Sequence, residues 1–200
     1  MPARHARLSP AELLGLALPP RPEAGHAPEE IRSVLDELGR KKPSWELLGP
    51  HVAFAPEGYL RKRLYRDEHW EMLLLCWLPG QTTVVHDHGG SWGTMLVLSG
   101  RLDERQYRSH GEGSPLTMCQ LRRFGPQDVA LETVETIHKN ENRDDAPAIS
   151  LHFYSPPLRV LNSYDPMTGR SHAVQVHEGP SVAVGGKPLR TRRRTLAAAR

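Results

Sequence analysis

A succession of short β-type segments dominates this chain and limits what it can fold into. Between Tyr59 and about Gln175, stretches rich in Val, Leu, Thr, Tyr and Trp alternate with turn signals roughly every 8–12 residues. This spacing predicts an antiparallel barrel or sandwich, and Ser99-Gly100 predicts a tight hairpin between two of the strands. The predicted strands cover residues 59–66, 70–78, 81–87, 93–99, 101–108, 115–122, 127–131, 134–138, 147–154 and 172–176.

The first 50 residues have a helical character instead. Ser9, Pro10 and Glu12 suit the N-cap, first and third positions of a short amphipathic helix. A second helix is predicted to start near Pro28, and Gly39 is a natural end for it. We expect this helical segment to pack against the outside of the β domain.

Positive charge is concentrated at the end of the chain. The formal net charge is +3, which alone would suggest a nucleic-acid partner. No acidic residue follows Glu178, so residues 1–178 hold 20 basic and 23 acidic side chains. The basicity therefore belongs to residues 179–200, for which we expect a flexible, solvated tail, with a nucleic-acid or membrane arm as the alternative. We predict a helical segment at 1–50 and a barrel domain at 51–178, with no nucleic-acid or membrane partner.

Composition indicates a soluble, globular protein, with 38% hydrophobic and 24% charged residues. Two cysteines, Cys76 and Cys119, are too few for a disulfide scaffold and suit a reducing cytoplasm. The sequence leaves a single disulfide open. We expect a cytoplasmic monomer.

The segment Val84-Val85-His86-Asp87-His88 is the first candidate for chemistry. On a strand, residues i and i+2 point to the same face, so His86 and His88 project together while Asp87 points away. Two imidazoles directed into a barrel form half of a metal site. The same pattern also fits a pair of surface histidines at a strand end.

Glycines around this pair add a longer pattern. Gly80, then His86 and His88, then Gly93 and Gly100 have a spacing that resembles the first motif of the cupin superfamily, which are small double-stranded β-helix barrels. The glutamate usual in that motif is missing, because Trp92 and Gly93 stand at its places.

A later segment resembles the second cupin motif, which supplies a third histidine. His138 followed by Asn142 matches its His-x-x-x-Asn pattern, although the upstream Pro and Gly do not match. Three neutral histidines on an octahedral ion leave three positions open and a net charge of +2 with a divalent metal, which favours an anionic ligand such as a thiolate. The sequence alone leaves zinc, manganese and iron open.

A third resemblance is narrower. The string Ser150-Leu151-His152-Phe153-Tyr154-Ser155-Pro156-Pro157, with Leu75-Cys76-Trp77 and residues 164–169, resembles the cysteine dioxygenases, a cupin family of thiol dioxygenases. The similarity extends from about Tyr59 to Gly169. It implies a cupin barrel that binds Fe(II) through His86, His88 and His138 and oxidises L-cysteine with dioxygen to cysteine sulfinic acid.

The resemblance also implies the residues that bind the substrate. Family members grip the substrate carboxylate with an arginine on an early strand, and Tyr59-Leu60-Arg61 matches that place. A guanidinium suits a carboxylate because it donates two parallel hydrogen bonds. Arg63 is the rival on the same strand face. Either arginine could instead be an ordinary solvated strand charge, since Lys62 and Arg66 lie nearby.

Three further residues are implied as catalytic. Ser150, His152 and Tyr154 alternate along one predicted strand and therefore face the same way. The resemblance makes them a relay in which His152 orients the Tyr154 hydroxyl towards dioxygen or substrate. Without it, each would be a core polar residue satisfied by its neighbours. The Ser155-Pro156 bond is predicted to be cis.

One position departs from the family. Several animal members carry a cysteine five residues after the second histidine, linked by a thioether to the active-site tyrosine, and Gly93 stands there in this chain. We therefore expect no crosslink and a free Tyr154 phenol. Cys76 and Trp77 are predicted to be ordinary packing residues.

Other functions remain open at this point. The same chemistry on 3-mercaptopropionate is the nearest alternative, although related enzymes for that thiol tend to carry Gln where this chain has Arg61. A metal-dependent cupin isomerase or hydrolase is a second, which the missing motif carboxylate disfavours. A non-catalytic metal-binding cupin is a third.

Overall fold

The structure is a computed structural model that describes residues 8–15 and 43–176, the strand at 181–183, and single positions between 30 and 41. The helices described over their full extent are α1 (Pro10–Leu14), α2 (Trp45–Leu48) and a 3-10 helix (Gly49–His51). The strands are β1 (Tyr59–Arg66), β2 (Glu71–Trp77), β3 (Val85–His86), β4 (Trp92–Ser99), β5 (Leu102–Arg108), β6 (Thr117–Phe124), β7 (Val129–Glu132), β8 (Ile137–Glu141), β9 (Ala148–Ser155), β10 (Val160–Tyr164), β11 (Ser171–Gln175) and β12 (Ser181–Ala183).

These strands form two six-stranded antiparallel sheets. The first sheet has the order β12-β1-β2-β9-β4-β7 and the second the order β11-β10-β3-β8-β5-β6. From β2 to β5, and again from β7 to β10, each strand lies in the opposite sheet from the one before it. This alternation winds the chain around a common interior as a double-stranded β-helix, which confirms the predicted all-β cupin barrel.

Strand β2 is apolar from Met72 to Trp77 and starts with a buried glutamate, Glu71. Every residue from Glu71 to Trp77 is buried, because the strand has protein on both faces. Alternate side chains enter two different cores. One core lies inside the barrel and includes Leu73, Leu75, Trp77, Met95 and Val97. The other lies on the outer face of the first sheet and includes Met72, Leu74, Cys76, Leu13, Leu14, Val34 and Leu48.

The first helix forms as predicted. The Ser9 hydroxyl accepts a hydrogen bond from the Glu12 backbone N–H, and the Glu12 carboxylate accepts one from the Ser9 N–H, so the two residues make a capping box. The buried Leu13 and Leu14 bind this helix to the outer core. Among the residues that the structure describes, none belongs to a helix long and apolar enough to cross a membrane.

Several predicted elements differ from the structure or fall outside the part described. The predicted second helix lies largely outside the described residues, although Ser33 and Val34 are helical. The predicted tail at 179–200 also lies largely outside them, apart from β12, which pairs with β1 at the edge of the first sheet. The predicted strand at 81–87 is wrong in extent, because only β3 is regular. Before β3, the Thr83 N–H donates to the Asn140 carbonyl oxygen, and the Thr83 hydroxyl accepts from the Asn140 N–H. A side-chain oxygen therefore replaces a backbone carbonyl in the pairing of this segment with β8.

Strand β10 is absent from the strands predicted from the sequence. It follows Pro156 and Pro157, which break the local pattern, and it forms by pairing with β3 and β11. Strand β8 lies three residues later than predicted at each end, because Thr133 to Thr136 form a turn before it. The Ser155–Pro156 peptide bond is cis, as predicted.

Candidate active site

Three buried histidines meet inside the barrel. His86 on β3 lies directly opposite His138 on β8, and His88 follows two residues later, just beyond the end of β3. One ring nitrogen from each of the three lies within 4.8 Å of the others. Their exposed fractions are 8%, 1% and 0% for His86, His138 and His88, so water has little access to the cluster. The alternative of two surface histidines is wrong.

Hydrogen bonds orient two of the three rings. His86 Nδ1 is 3.0 Å from the Val84 carbonyl oxygen, and His138 Nδ1 is 2.8 Å from Glu104 Oε1. If these Nδ1 atoms carry the protons, each ring presents a bare Nε2 to the interior. His138 Nε2 is 3.3 Å from His88 Nε2.

The protonation of the rings follows from their surroundings. Burial, followed by the neighbouring His138, lowers the pKa of His86 to about 3 and that of His88 well below its usual value. Burial also acts to lower the pKa of His138, but the carboxylates of Glu132 and Glu104 outweigh it and leave that pKa raised. His86 and His88 are therefore neutral donors at physiological pH.

Asp87 points away from the cluster, as predicted, and anchors the segment between the two histidines. Its carboxylate accepts hydrogen bonds from Asn162 Nδ2 at 2.9 Å and from the Tyr164 hydroxyl at 2.9 Å, both on β10. It also accepts one from Gly89 N–H at 2.9 Å. Gly89 has a φ of +56°, and a Cβ there would lie 2.1 Å from the Val160 carbonyl oxygen. Only glycine therefore allows the chain to turn so close to β10.

Two buried carboxylates beside the histidines were not predicted. Glu104 on β5 accepts from Arg122 Nη2 at 2.7 Å while it contacts His138. Glu132 on β7 is 0% exposed, and its Oε2 lies 3.3 Å from His88 Nε2. A lone glutamate ending the apolar run Val129-Ala130-Leu131 was a sequence signal for Glu132. Glu104 sits in a strand of mixed charges and offered no comparable signal.

Arg61 faces the interior of the barrel from β1. Its Nη2 is buried and lacks a hydrogen-bond partner among the described residues. Its nearest counter-charge is Glu71 Oε2 at 3.7 Å. The positive charge of Arg61 contributes to the lowered pKa of His86 and of His152, after burial and the neighbouring histidine. The guanidinium is thus within electrostatic reach of both groups, and it has an unused donor.

The residues predicted as a relay form a connected chain. Trp77 Nε1 donates to Ser150 Oγ at 3.0 Å, Ser150 Oγ is 2.8 Å from His152 Nε2, and His152 Nδ1 is 3.4 Å from the Tyr154 hydroxyl. Burial lowers the pKa of His152 to about 3, so this ring is neutral. Trp77 is more than a packing residue, because it donates the first bond of the chain.

Two aromatic rings complete this side of the site. Tyr59 stacks on Trp77 with ring centroids 4.4 Å apart, and burial raises the pKa of Tyr59 to about 12. The Tyr154 ring lies 5.1 Å from that of His88. Cys76 is buried in the outer core and Cys119 is exposed on β6, and both are free thiols. The disulfide that the sequence left open is therefore absent.

The donor set fits a divalent metal ion. Imidazole nitrogens suit iron, zinc, copper and nickel, and a bare Nε2 on each fixed ring is the form that ligates. The neutral rings of His86 and His88 need not lose a proton before they bind. The histidines come from the second sheet and its adjoining loop, whereas Arg61, the relay and Glu132 come from the first sheet. A small molecule between the sheets would meet both sets.

Sequence comparisons with known proteins point to one family. The family model of cysteine dioxygenase type I matches residues 29–167. Cysteine dioxygenase type 1 of Rattus norvegicus is 26% identical over 155 residues, covering 73% of this chain and 74% of the rat protein. The Danio rerio protein of the same name is 26% identical over 161 residues, with coverages of 74% and 75%.

Solved structures give weaker likenesses. A Klebsiella pneumoniae protein with a double-stranded β-helix domain has a TM-score of 0.47 at 16% identity, over 66% of this chain and 95% of its own. A Thermus thermophilus protein has a TM-score of 0.46 at 23% identity, over 55% and 93%. The family match spans the histidine cluster, Arg61 and the relay. This chain belongs to the cysteine dioxygenase type I family.

Proposed function

We propose that this protein is an iron(II)-dependent dioxygenase that oxidises the thiol of L-cysteine with dioxygen to cysteine sulfinic acid. One observation carries the proposal: the barrel encloses a three-histidine cluster together with an arginine whose Nη2 is buried and lacks a hydrogen-bond partner among the described residues. Cysteine has a sulfur and an amine for a metal and a carboxylate for a guanidinium. Family membership supports the thiol dioxygenase chemistry.

The reaction balances without an added reductant. Both atoms of dioxygen end on sulfur, so the S–H and O–O bonds break and two S–O bonds form. Sulfur is oxidised by four electrons, dioxygen is reduced by four, and the thiol proton leaves to solvent or to the sulfinate. Nothing beyond the thiol and dioxygen is consumed.

His86, His88 and His138 would hold the iron. Bound iron(II) would supply the open coordination positions and the redox chemistry that let a thiol react with dioxygen. The Val84 carbonyl and Glu104 fix the orientation of the His86 and His138 rings. The burial of all three rings keeps bulk water away from the reacting atoms.

Arg61 would bind the substrate carboxylate. A buried, unpaired guanidinium N–H is costly, and a carboxylate that accepts two hydrogen bonds would satisfy it. Glu71 lies beside the guanidinium at 3.7 Å and limits where it can turn. Tyr59, stacked on Trp77, would form the wall beside this end of the substrate.

The relay would fix the direction of the Tyr154 proton. Trp77 can only donate, so Ser150 accepts from it and is free to donate its own proton to His152 Nε2. His152 then carries its proton on Nδ1 and donates it to the Tyr154 oxygen. The Tyr154 hydroxyl proton is left for the substrate. The raised pKa of Tyr154, caused first by burial, keeps the phenol protonated.

Oxygen consumption by the iron-loaded protein tests the proposal, with L-cysteine, cysteamine and 3-mercaptopropionate compared side by side. Fastest uptake with cysteine, together with sulfinate formation, is the expected result. A preference for 3-mercaptopropionate would keep the chemistry and change the substrate. No uptake with any thiol would favour a metal-binding protein without catalysis.

A metal-dependent isomerase or hydrolase is the second candidate, and one observation favours it. The sequence argued against this class because the cupin motif lacks its glutamate, yet Glu132 brings a carboxylate beside His88. Turnover of a substrate under strictly anaerobic conditions would support this class. The Arg61 Nη2 without a hydrogen-bond partner and the relay of Ser150, His152 and Tyr154 favour the dioxygenase.

Three further expectations are part of this proposal. We place the enzyme in the cytoplasm, in keeping with two free cysteines. We propose that it acts as a monomer on a small thiol, without a nucleic-acid or membrane partner. The boundaries 1–50, 51–178 and 179–200 remain predictions.

A further inference from the structure

His88 differs from the other two histidines of the cluster in how its ring is held. The other two rings each have an acceptor beside Nδ1, a backbone carbonyl oxygen for His86 and the Glu104 carboxylate for His138. His88 turns its Nε2 towards the cluster, 3.3 Å from His138 Nε2. Its Nδ1 is buried and has no hydrogen-bond partner among the described residues. A hydrogen bond at this second ring nitrogen therefore does not fix the direction of the His88 ring.

The backbone of His88 also lies beyond the regular part of its strand. Strand β3 ends at His86, so the ladder that fixes His86 stops before His88. The next two residues, Gly89 and Gly90, have positive φ angles of +56° and +89°, and glycine is the most permissive residue for the backbone. The His88 carbonyl oxygen accepts from Ser91 N–H at 3.1 Å, which closes a turn. A ring on such a segment needs a further attachment to the barrel if it is to keep one direction.

Asp87 supplies that attachment. Its carboxylate accepts from the backbone N–H of Asn162 at 3.0 Å, from Asn162 Nδ2 at 2.9 Å and from the Tyr164 hydroxyl at 2.9 Å. Asp87 N–H in turn donates to the Asn162 carbonyl oxygen at 3.1 Å, so both the side chain and the backbone of Asp87 bind β10. The same carboxylate accepts from Gly89 N–H at 2.9 Å. The residues before and after His88 are thus held by one ionised acceptor, whose hydrogen bonds are stronger than those of a neutral one.

We propose that Asp87 is a positioning residue for His88, and that its bonds to β10 direct the His88 imidazole to the metal in place of a ring hydrogen bond. This inference rests on the proposed histidine centre. A metal-binding histidine ordinarily donates its second ring N–H to an acceptor that fixes the ring. At His88 the constraint acts on the backbone instead. Asn162 and Tyr164 thereby contribute to metal binding from a strand that carries none of the three histidines.

Co(II) binding to the full-length protein tests this role, with the affinity and the visible spectrum at saturation as the two measurements. Asp87→Asn should weaken Co(II) binding by about 10–100-fold. It should also change the spectrum of the saturated protein, because one imidazole then meets the ion in a different direction. Tyr164→Phe removes one bond to the carboxylate and should shift both measurements in the same direction by less. It decides the question if Asp87→Asn does not fold.

Asp67 offers matched controls, because it makes a similar set of bonds in the turn between β1 and β2. Its carboxylate accepts from the Tyr65 hydroxyl at 2.7 Å and from the backbone N–H groups of His69 and Trp70 at 2.7 Å and 2.6 Å. Asp67→Asn and Tyr65→Phe should lower the melting temperature of the metal-free protein, as the two test variants should, since each loses hydrogen bonds to a carboxylate. Both controls should keep the parental Co(II) affinity and spectrum.

Two kinds of result overturn the inference. Parental affinity and spectrum in Asp87→Asn would mean that the His88 ring keeps its direction without this carboxylate. A weaker affinity with a parental spectrum, or an equal loss of affinity in Asp67→Asn, would mean that Asp87 acts only through the stability of the fold. His88→Ala tests the histidine centre separately. Parental Co(II) binding in His88→Ala overturns that centre, whereas weak binding there with parental binding in Asp87→Asn overturns only the role of Asp87.

Discussion

Arg61 Nη2 lies 3.7 Å from Glu71 Oε2 on the neighbouring strand, which is ion-pair distance but beyond a hydrogen bond. Glu71 also lies 3.9 Å from Arg63 Nη1 and 3.8 Å from Arg66 Nη1. The carboxylate thus balances three guanidinium groups without occupying the donor that Arg61 directs inwards. Loss of Arg61 would leave Glu71 with two cationic neighbours, so the fold should tolerate it.

Substitution of Arg61 therefore tests the carboxylate clamp directly. Arg61→Ala or Arg61→Gln should cost about 2–5 kcal/mol of interaction with the substrate carboxylate. Cysteine kcat/KM should therefore fall by roughly 30-fold to 5,000-fold, measured by oxygen uptake. Cysteamine has no carboxylate, so its turnover should barely change.

Arg63→Ala is the matched control, because Arg63 lies two residues along the same strand. It should leave the preference for cysteine over cysteamine unaltered. If Arg63→Ala abolishes cysteine oxidation and Arg61→Ala does not, the clamp is assigned to the wrong arginine. If both variants keep full cysteine activity, the clamp must be abandoned.

Metal binding should depend on each of the three histidines. Ala at His86, His88 or His138 should remove most of the bound iron and most of the activity, because two imidazoles alone hold the ion weakly. Iron content per chain after desalting is the measurement. Normal iron content in His138→Ala would contradict the three-histidine centre.

Tyr154 should act as a free phenol. Tyr154→Phe should reduce turnover strongly while iron content stays near normal, because the hydroxyl is the end of the relay. Mass spectrometry of the active-site peptides should show no loss of two hydrogens. A Cys–Tyr thioether is not expected, since both cysteines are free and Gly93 lies against the Tyr154 ring.

Gly89 should be required for stability. Gly89→Ala should lower the free energy of unfolding by about 2–4 kcal/mol, because the new Cβ would clash with the Val160 carbonyl oxygen and strain a positive φ. Gly90→Ala has a positive φ but open space around it, so about 1 kcal/mol is expected. Denaturant unfolding of both variants measures the difference. Equal losses would mean that the contact with β10 relaxes freely.

Local sequence patterns predicted the parts of the site that lie on one strand. Ser150, His152 and Tyr154 followed from alternation along β9. The pairing of His86 and His88 followed from the same alternation, although His88 lies just beyond the end of β3. Their meeting with His138 and Arg61 came from the family resemblance, because the pairing of distant strands leaves little trace in a local pattern.

The missed features all depend on contacts between distant strands. Glu132 reaches His88 only because β7 pairs with β4 opposite a glycine. Trp77 joins the relay only because β2 pairs with β9, 73 residues away from Ser150 in the chain. Strand β10 has a weak pattern of its own and is held by β3 and β11.

The division of the site between two sheets has a consequence for the evolution of substrate choice. The second sheet carries His86 and His138, the first carries Arg61, and the side chains of the inner core separate the sheets. For a substrate bound at both ends as proposed, the volume of inner-core residues such as Met95 and Val97 would influence the length that fits between the sheets. Selection for a longer or shorter thiol could act on the barrel filling while every chemically active residue stays unchanged.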